Sequence, residues 1–130
     1  MKIAIFSKDH RVDYGQVFFE LYKHLMRNNI SDIYIYHPFR AFLQSQYKLV
    51  LNCFDYSKPS DFPDVDFLIT IGGDGTMLEA ITFSRNKNIP IIGINSGRLG
   101  FLADIPGSEI ADAIDCIVNL NYKIDRKSVV

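Results

Sequence analysis

Asp66-Phe67-Leu68-Ile69-Thr70-Ile71-Gly72-Gly73-Asp74-Gly75-Thr76 is the stretch on which the reading of the chain turns. A short apolar run ending in clustered glycines predicts a buried strand that delivers a tight turn to the edge of a sheet. The glycines let the backbone come close to a ligand with no Cβ in the way. Their N–H groups, with the start of the helix predicted after them, can hold an anion. Asp74 then sets one carboxylate against that anion site. A carboxylate beside phosphates is costly unless it binds a metal or takes a proton, so the stretch points to chemistry on a phosphorylated ligand. A strand-to-helix turn with no ligand is the plainer alternative, but an aspartate flanked by three glycines over-serves a mere turn. No Gly-Lys-Ser/Thr follows, which excludes a Walker loop. The Gly-Gly-Asp-Gly spacing also departs from the dinucleotide fingerprint.

Outward from this stretch the chain alternates strand and helix signals. Lys2 to Phe6 is an apolar opening strand, and Tyr14 to Arg27 carries Tyr14, Val17, Phe18, Leu21 and Leu25 on one helical stripe, with Asp13 as a candidate N-cap. Asp32 to His37 is a strand by residue type. Pro38 opens a short helix through Gln46, and Lys48 to Phe54 is another strand candidate before a polar, proline-containing loop. Val65 to Ile71 is the motif strand. Thr76 to Arg85 is a helix offering Met77, Leu78, Ala80 and Ile81 for packing, and Ile89 to Ile94 is a further buried strand. Pro106 opens a helix to about Leu120, and Tyr122 to Val130 reads as a strand beginning. The expected fold is therefore α/β, a Rossmann-like layered domain with a mainly parallel sheet. In such sheets ligands bind at the carboxyl ends of the strands. Both glycine-rich segments, Gly72 to Thr76 and Asn95 to Gly100, fall at such ends and can line one cleft.

Composition narrows the class. The 130 residues suit one ordinary domain, and 48% apolar content with 10 Phe and 7 Tyr can fill a core. A net charge of −1 with no basic run disfavours nucleic acid as a partner. No apolar run reaches the length of a membrane span, and the apolar opening is too brief for a signal peptide. Cys53 and Cys116 form no C-x-x-C pair and read as buried thiols in a reducing compartment, with a disulfide the lesser alternative, so a cytoplasmic location is expected. His10, His24 and His37 have no metal-ligand spacing.

The second glycine segment narrows the family. Asn95-Ser96-Gly97-Arg98-Leu99-Gly100-Phe101-Leu102 resembles the N-x-G-x-L-G-F-L signature of NAD kinases, and Gly72-Gly73-Asp74-Gly75-Thr76-Met77-Leu78 resembles their G-G-D-G-T motif. The first motif alone also occurs in diacylglycerol and sphingosine kinases, and as a close variant in 6-phosphofructokinases. The ordered pair, one strand-helix-strand unit apart, is specific to NAD kinases. The resemblance implies ATP-dependent phosphorylation of the adenosine-ribose 2′-hydroxyl of NAD to give NADP, with Mg²⁺ or another divalent cation. Inorganic polyphosphate is the donor for some members. It also implies a homo-oligomer, a dimer or tetramer, when full length.

By that resemblance Asp74 is the catalytic residue, a general base for the ribose hydroxyl, with metal ligation as its rival role. Gly73, Asp74 and Gly75 match the phosphate-contacting backbone. Leu78 and Phe101 match positions beside the NAD adenosine. For Leu78, ordinary core packing stands level with ligand contact, whereas Phe101 lies in a glycine-flanked loop suited to a ligand. Asn95 either bonds phosphate or stabilises its own turn. Lys8 and Arg11, after the first strand, can also face the cleft, although a solvated loop is the plainer role for each. Glu79 stands where some relatives carry a basic residue, so a contact there does not transfer. The Asn-Glu or Asn-Asp motif of the family's C-terminal β-rich domain is missing. Residues 1–121 are thus expected to form the α/β nucleotide-binding catalytic domain, and residues 122–130 to begin the β-rich one. Such a piece alone is expected to turn over weakly or not at all. The alternatives are a lipid or sugar kinase sharing only the first motif, and a non-catalytic nucleotide sensor.

Overall fold

The computed structural model describes residues 1–8, 11–48, 50–84, 87–95, 104–106 and 114. Strands β1 (Lys2–Phe6), β2 (Asp32–Tyr36), β3 (Phe54–Tyr56), β4 (Phe67–Ile71), β5 (Ile91–Asn95) and β6 (Asp104–Pro106) form one sheet in the order β3-β2-β1-β4-β5-β6. Every neighbouring pair is parallel. Helices α1 (Val12–Arg27), α2 (His37–Tyr47) and α3 (Asp74–Ser84) lie between strands in sequence, which is the α/β arrangement expected.

Alternation along the strands builds two apolar layers. Ile3, Ile5, Ile33, Ile35, Ile69 and Ile94 face one way and pack with Phe18, Leu21 and Leu25 of α1 and Phe39 and Leu43 of α2. Ala4, Phe6, Leu68 and Ile91 belong to the other layer, with Met77 and Ala80 of α3. Cover on both faces explains why β1 and β4 read as near-continuous apolar runs rather than alternating ones. In the second layer Tyr56 is buried, and its hydroxyl donates to the Ile5 carbonyl at 2.7 Å. That bond satisfies a polar group that would otherwise be stranded in the core, and burial pushes the phenol well above its ordinary pKa.

Several element boundaries differ from expectation, each for a local reason. Helix α1 begins at Val12, so Asp13 lies in its first turn rather than at the N-cap, and the N-cap is Arg11. An acid there still complements the helix dipole. Strand β2 stops at Tyr36 because His37 already opens α2, whose Pro38 falls in the first turn where a missing N–H costs nothing. The strand expected over Lys48 to Phe54 is confined to Phe54–Tyr56. Leu51 has given its backbone groups to side chains of α2: its N–H donates to Gln44 Oε1 at 3.0 Å, and its carbonyl accepts from Arg40 Nη2 at 2.7 Å. Helix α3 starts at Asp74, two residues before the predicted Thr76. Pro106 ends β6 instead of opening a helix. Of the helix expected after it only Ile114 is described; it is helical and buried against the α1 layer. The strand expected over 122–130 lies outside the described residues.

Candidate functional site

The chain winds outward from β1 to β3, returns to β4 and then winds the other way to β6. The strand order therefore reverses between β1 and β4, and the carboxyl ends of those two strands open a crevice where an α/β sheet accepts ligands. Phe6 pairs in register with Thr70, so Ser7 and Lys8 leave β1 beside the point where Gly72 leaves β4.

The three glycines of the turn do different work. Gly72 has φ +150°, and a Cβ built on it would come within 2.5 Å of Thr76 Oγ1 and 2.9 Å of Thr76 Cβ. Thr76 is buried and short, so it cannot swing aside. Gly72 also donates its N–H to the Ile94 carbonyl at 3.0 Å, which ties the turn to β5. The fold itself therefore demands glycine at position 72. Position 73 makes no such demand, since a Cβ there meets nothing within 4 Å. At Gly75 the nearest atom to a Cβ would be Lys8 Nζ, at an ordinary 3.5 Å. Packing explains one glycine of the three; a Cβ would meet open space at Gly73 and only an ordinary contact at Gly75.

That space lies at the start of α3. The first helical bond runs from Met77 N–H to the Gly73 carbonyl at 3.2 Å. The N–H groups of Asp74, Gly75 and Thr76 precede that bond and have no acceptor within the helix. Asp74 occupies the first turn and is part-buried. A bare backbone, the amides of a helix's first turn, a carboxylate and an ammonium thus converge on one edge. Such a set can bind a phosphate through backbone and cation while the carboxylate serves a hydroxyl or a metal.

The remaining sequence candidates are placed as follows. Leu78 is 58% exposed and Ile81 is 37% exposed, so neither is a core residue of α3; Met77 and Ala80 take that role. Asp74, Leu78 and Ile81 follow helical spacing on one stripe that runs from the turn along α3. Asn95 closes β5 at the same sheet edge, with its backbone in register with Pro106. Phe101, along with Gly97, Arg98 and Gly100, lies outside the described residues. Arg11 pairs with Asp13 at 3.3 Å and sits over the Tyr14 ring at 5.2 Å, whereas Lys8 reaches the turn. Sequence reading ranked these two cations alike; only the β1–β4 pairing separates them. His24 pairs with Glu20 at 3.2 Å and His37 with Asp55 at 2.7 Å, both in structural contacts. Among the described residues no three His, Cys, Asp or Glu side chains gather to hold a metal ion, and no helix is long and apolar enough to cross a membrane. Cys53 is a free, half-buried thiol, and burial pushes its pKa up.

A doubly covered parallel sheet with a glycine turn at its switch point defines a doubly wound α/β domain. The chain belongs to the ATP-NAD kinase N-terminal domain family, whose profile matches residues 20–122. It is 38% identical over 129 residues to an NAD kinase of Bacteroides fragilis and 37% identical over 133 residues to one of Flavobacterium psychrophilum. Each alignment takes in 99% of this chain but 44% of the relative, so the chain spans less than half the length of these enzymes. Its fold matches yeast NADH kinase, solved in complex with NADH, with a TM-score of 0.77 at 19% identity, over 92% of this chain and 36% of that one.

Proposed function

We infer that this chain supplies the phosphoryl-transfer part of an NAD kinase, which moves the terminal phosphate of ATP to the adenosine-ribose 2′-hydroxyl of NAD. The observation that carries the reading is that packing does not require glycine at 73 or 75, on either side of Asp74. Glycine at positions where the protein itself would accept a methyl group reserves room for something outside the protein.

In the proposed step the 2′-oxygen forms a bond to the γ-phosphorus while the bond from that phosphorus to the β–γ bridging oxygen breaks. The bond's electron pair leaves with ADP. The hydroxyl proton passes to Asp74, because a secondary alcohol is a poor nucleophile until that proton has somewhere to go. The amides at the start of α3 and the bare backbone of Gly73 and Gly75 hold phosphate oxygens, so most of the acceleration comes from positioning and charge. Leu78, Asn95 and Phe101 complete the reading, with the apolar pair beside the adenosine and Asn95 at the phosphates or its own turn. A divalent cation such as Mg²⁺ neutralises phosphate charge when bound. Asp74 is the carboxylate that would hold such an ion, its rival role to that of base. Polyphosphate remains a second donor. The nicotinamide side of NAD then falls to sequence outside residues 1–121, which fits the relatives' greater length. A cytoplasmic homo-oligomer is the corresponding assembly.

The test is NADP formation from NAD and ATP by the full-length polypeptide and by its Asp74→Asn variant. Loss of a general base predicts a kcat lower by roughly 10²- to 10⁴-fold with the fold intact. Wild-type turnover in that variant would remove Asp74 from the chemistry. Phosphorylation of diacylglycerol or fructose 6-phosphate without NAD would transfer the chain to the lipid or sugar kinases. Nucleotide binding with no product would make it a sensor.

A further inference from the structure

We propose that Lys8 is the residue that grips the transferable phosphate of the donor. This assignment rests on the kinase reading above and adds the cation that reading lacks. Lys8 follows β1 immediately after the buried Ser7, and its ammonium lies 3.5 Å from where a Cβ of Gly75 would stand. It thereby reaches from one side of the β1–β4 seam to the first turn of α3 on the other.

That placement is unfavourable for the protein alone. The start of a helix carries partial positive charge, and cations belong at the opposite end. Asp74 supplies a single negative charge in that turn. A triphosphate brings several, and an ammonium beside the first turn of a helix is then correctly placed. The bare α-carbon of Gly75 gives the second reason. A methyl group there would fit against Lys8 at ordinary contact distance, so steric crowding between the two does not require glycine. The space between backbone and ammonium suits a phosphate oxygen held from both sides. In the transfer step Lys8 takes no proton. It holds the γ-phosphate oxygens while the phosphorus moves from the β–γ bridging oxygen to the ribose, and it offsets charge on the equatorial oxygens. Arg11, engaged with Asp13 and Tyr14, is not part of this grip.

The experiment compares wild type, Lys8→Met and Lys8→Arg in the full-length polypeptide. Steady-state rates are measured with ATP and NAD varied separately, and inorganic tripolyphosphate binding is measured by calorimetry. Lys8→Met is expected to lower kcat/KM for ATP on the order of tenfold to a hundredfold. The KM for NAD and the melting temperature should stay at wild-type values, because Lys8 is exposed. Lys8→Arg should recover most of the loss. Tripolyphosphate binding should weaken in Lys8→Met by a similar factor. ATP kinetics within twofold of wild type in Lys8→Met would overturn the proposal, as would a loss confined to NAD. If the wild type forms no NADP, the kinase reading fails, and tripolyphosphate alone decides Lys8. Weaker binding in Lys8→Met then sustains the grip, while equal binding, or none by the wild type, overturns it.

Discussion

At the β2–β3 wing of the sheet, polar side chains spend themselves on one another. Arg40 donates to Asp55, to the Leu51 carbonyl and to Gln44 Oε1, while His37 closes on the other oxygen of Asp55. Gln44 Oε1 also takes the Leu51 N–H, so α2 is stitched to the segment leading into β3. At the β1–β4 seam the same sheet edge is built differently. A lysine reaches towards a glycine in the first turn of α3, and packing does not require glycine at positions 73 and 75. Both regions carry charge, but the second also holds glycines that packing does not require. A cluster of ionisable groups is thus weak evidence of a site when its members complete each other. Unfilled space beside a polar backbone is stronger evidence.

The sharpest way to break this contrast is to methylate the glycines one at a time. Gly73→Ala and Gly75→Ala should melt with the wild type, since a Cβ at either meets only open space or ordinary contact. Each should still cut kcat/KM by on the order of a hundredfold, the scale of a phosphate displaced by about 1 Å. Gly72→Ala should do the reverse in kind. Its φ of +150° and its collision with Thr76 predict a loss of about 1–3 kcal/mol in stability. Denaturant unfolding and NADP assays on the three variants separate the roles. Full activity in Gly73→Ala and Gly75→Ala would mean that the space is incidental.

The sequence made the seam legible more readily than the wing. Strands β1, β4 and β5 are buried on both faces, and their apolar runs announced them to within two residues at either end. The glycines marked the turn. Two facts there were hidden, because both depend on which strands are neighbours. One is that Gly72 alone answers to packing, through Thr76; the other is that Lys8 crosses to α3. Leu78 was undecided because helical spacing on α3 fits either face; its exposure removes the core alternative. At the wing, Lys48 to Phe54 has the residue types of a strand. Side chains from α2 nevertheless capture the Leu51 backbone, and propensity carries no trace of that competition.

The wing should answer to stability alone. Arg40→Met strands Asp55 and the Leu51 carbonyl and should cost about 1–2 kcal/mol, with catalytic constants unchanged. Acid should act through the same acid group. Burial pushes the Asp55 carboxyl up, but hydrogen bonds from Arg40 and His37 outweigh it and hold the folded value below the ordinary 3.8. A depressed folded pKa contributes stability that is present above the unfolded value and lost as pH falls through the folded one. Asp55→Asn should therefore melt below the wild type at neutral pH, with the gap closing below about pH 4. A gap that stays constant from pH 7 to pH 2 would detach Asp55 from the network.

The smallest effect is expected where the two regions share nothing, on the exposed stripe of α3. Leu78 is 58% exposed, so Leu78→Ala should shift stability by no more than about 0.5 kcal/mol. In the proposed function this leucine, one helical turn beyond Asp74, lies against the apolar face of the adenosine. The variant should accordingly raise the KM for NAD several-fold while leaving the parameters for ATP alone. That pattern is the complement of the one expected of Lys8→Met, and together the two divide the seam into a donor side and an acceptor side. An unchanged KM for NAD would remove Leu78 from the adenosine and leave the stripe as bare helix surface, with the donor side untouched.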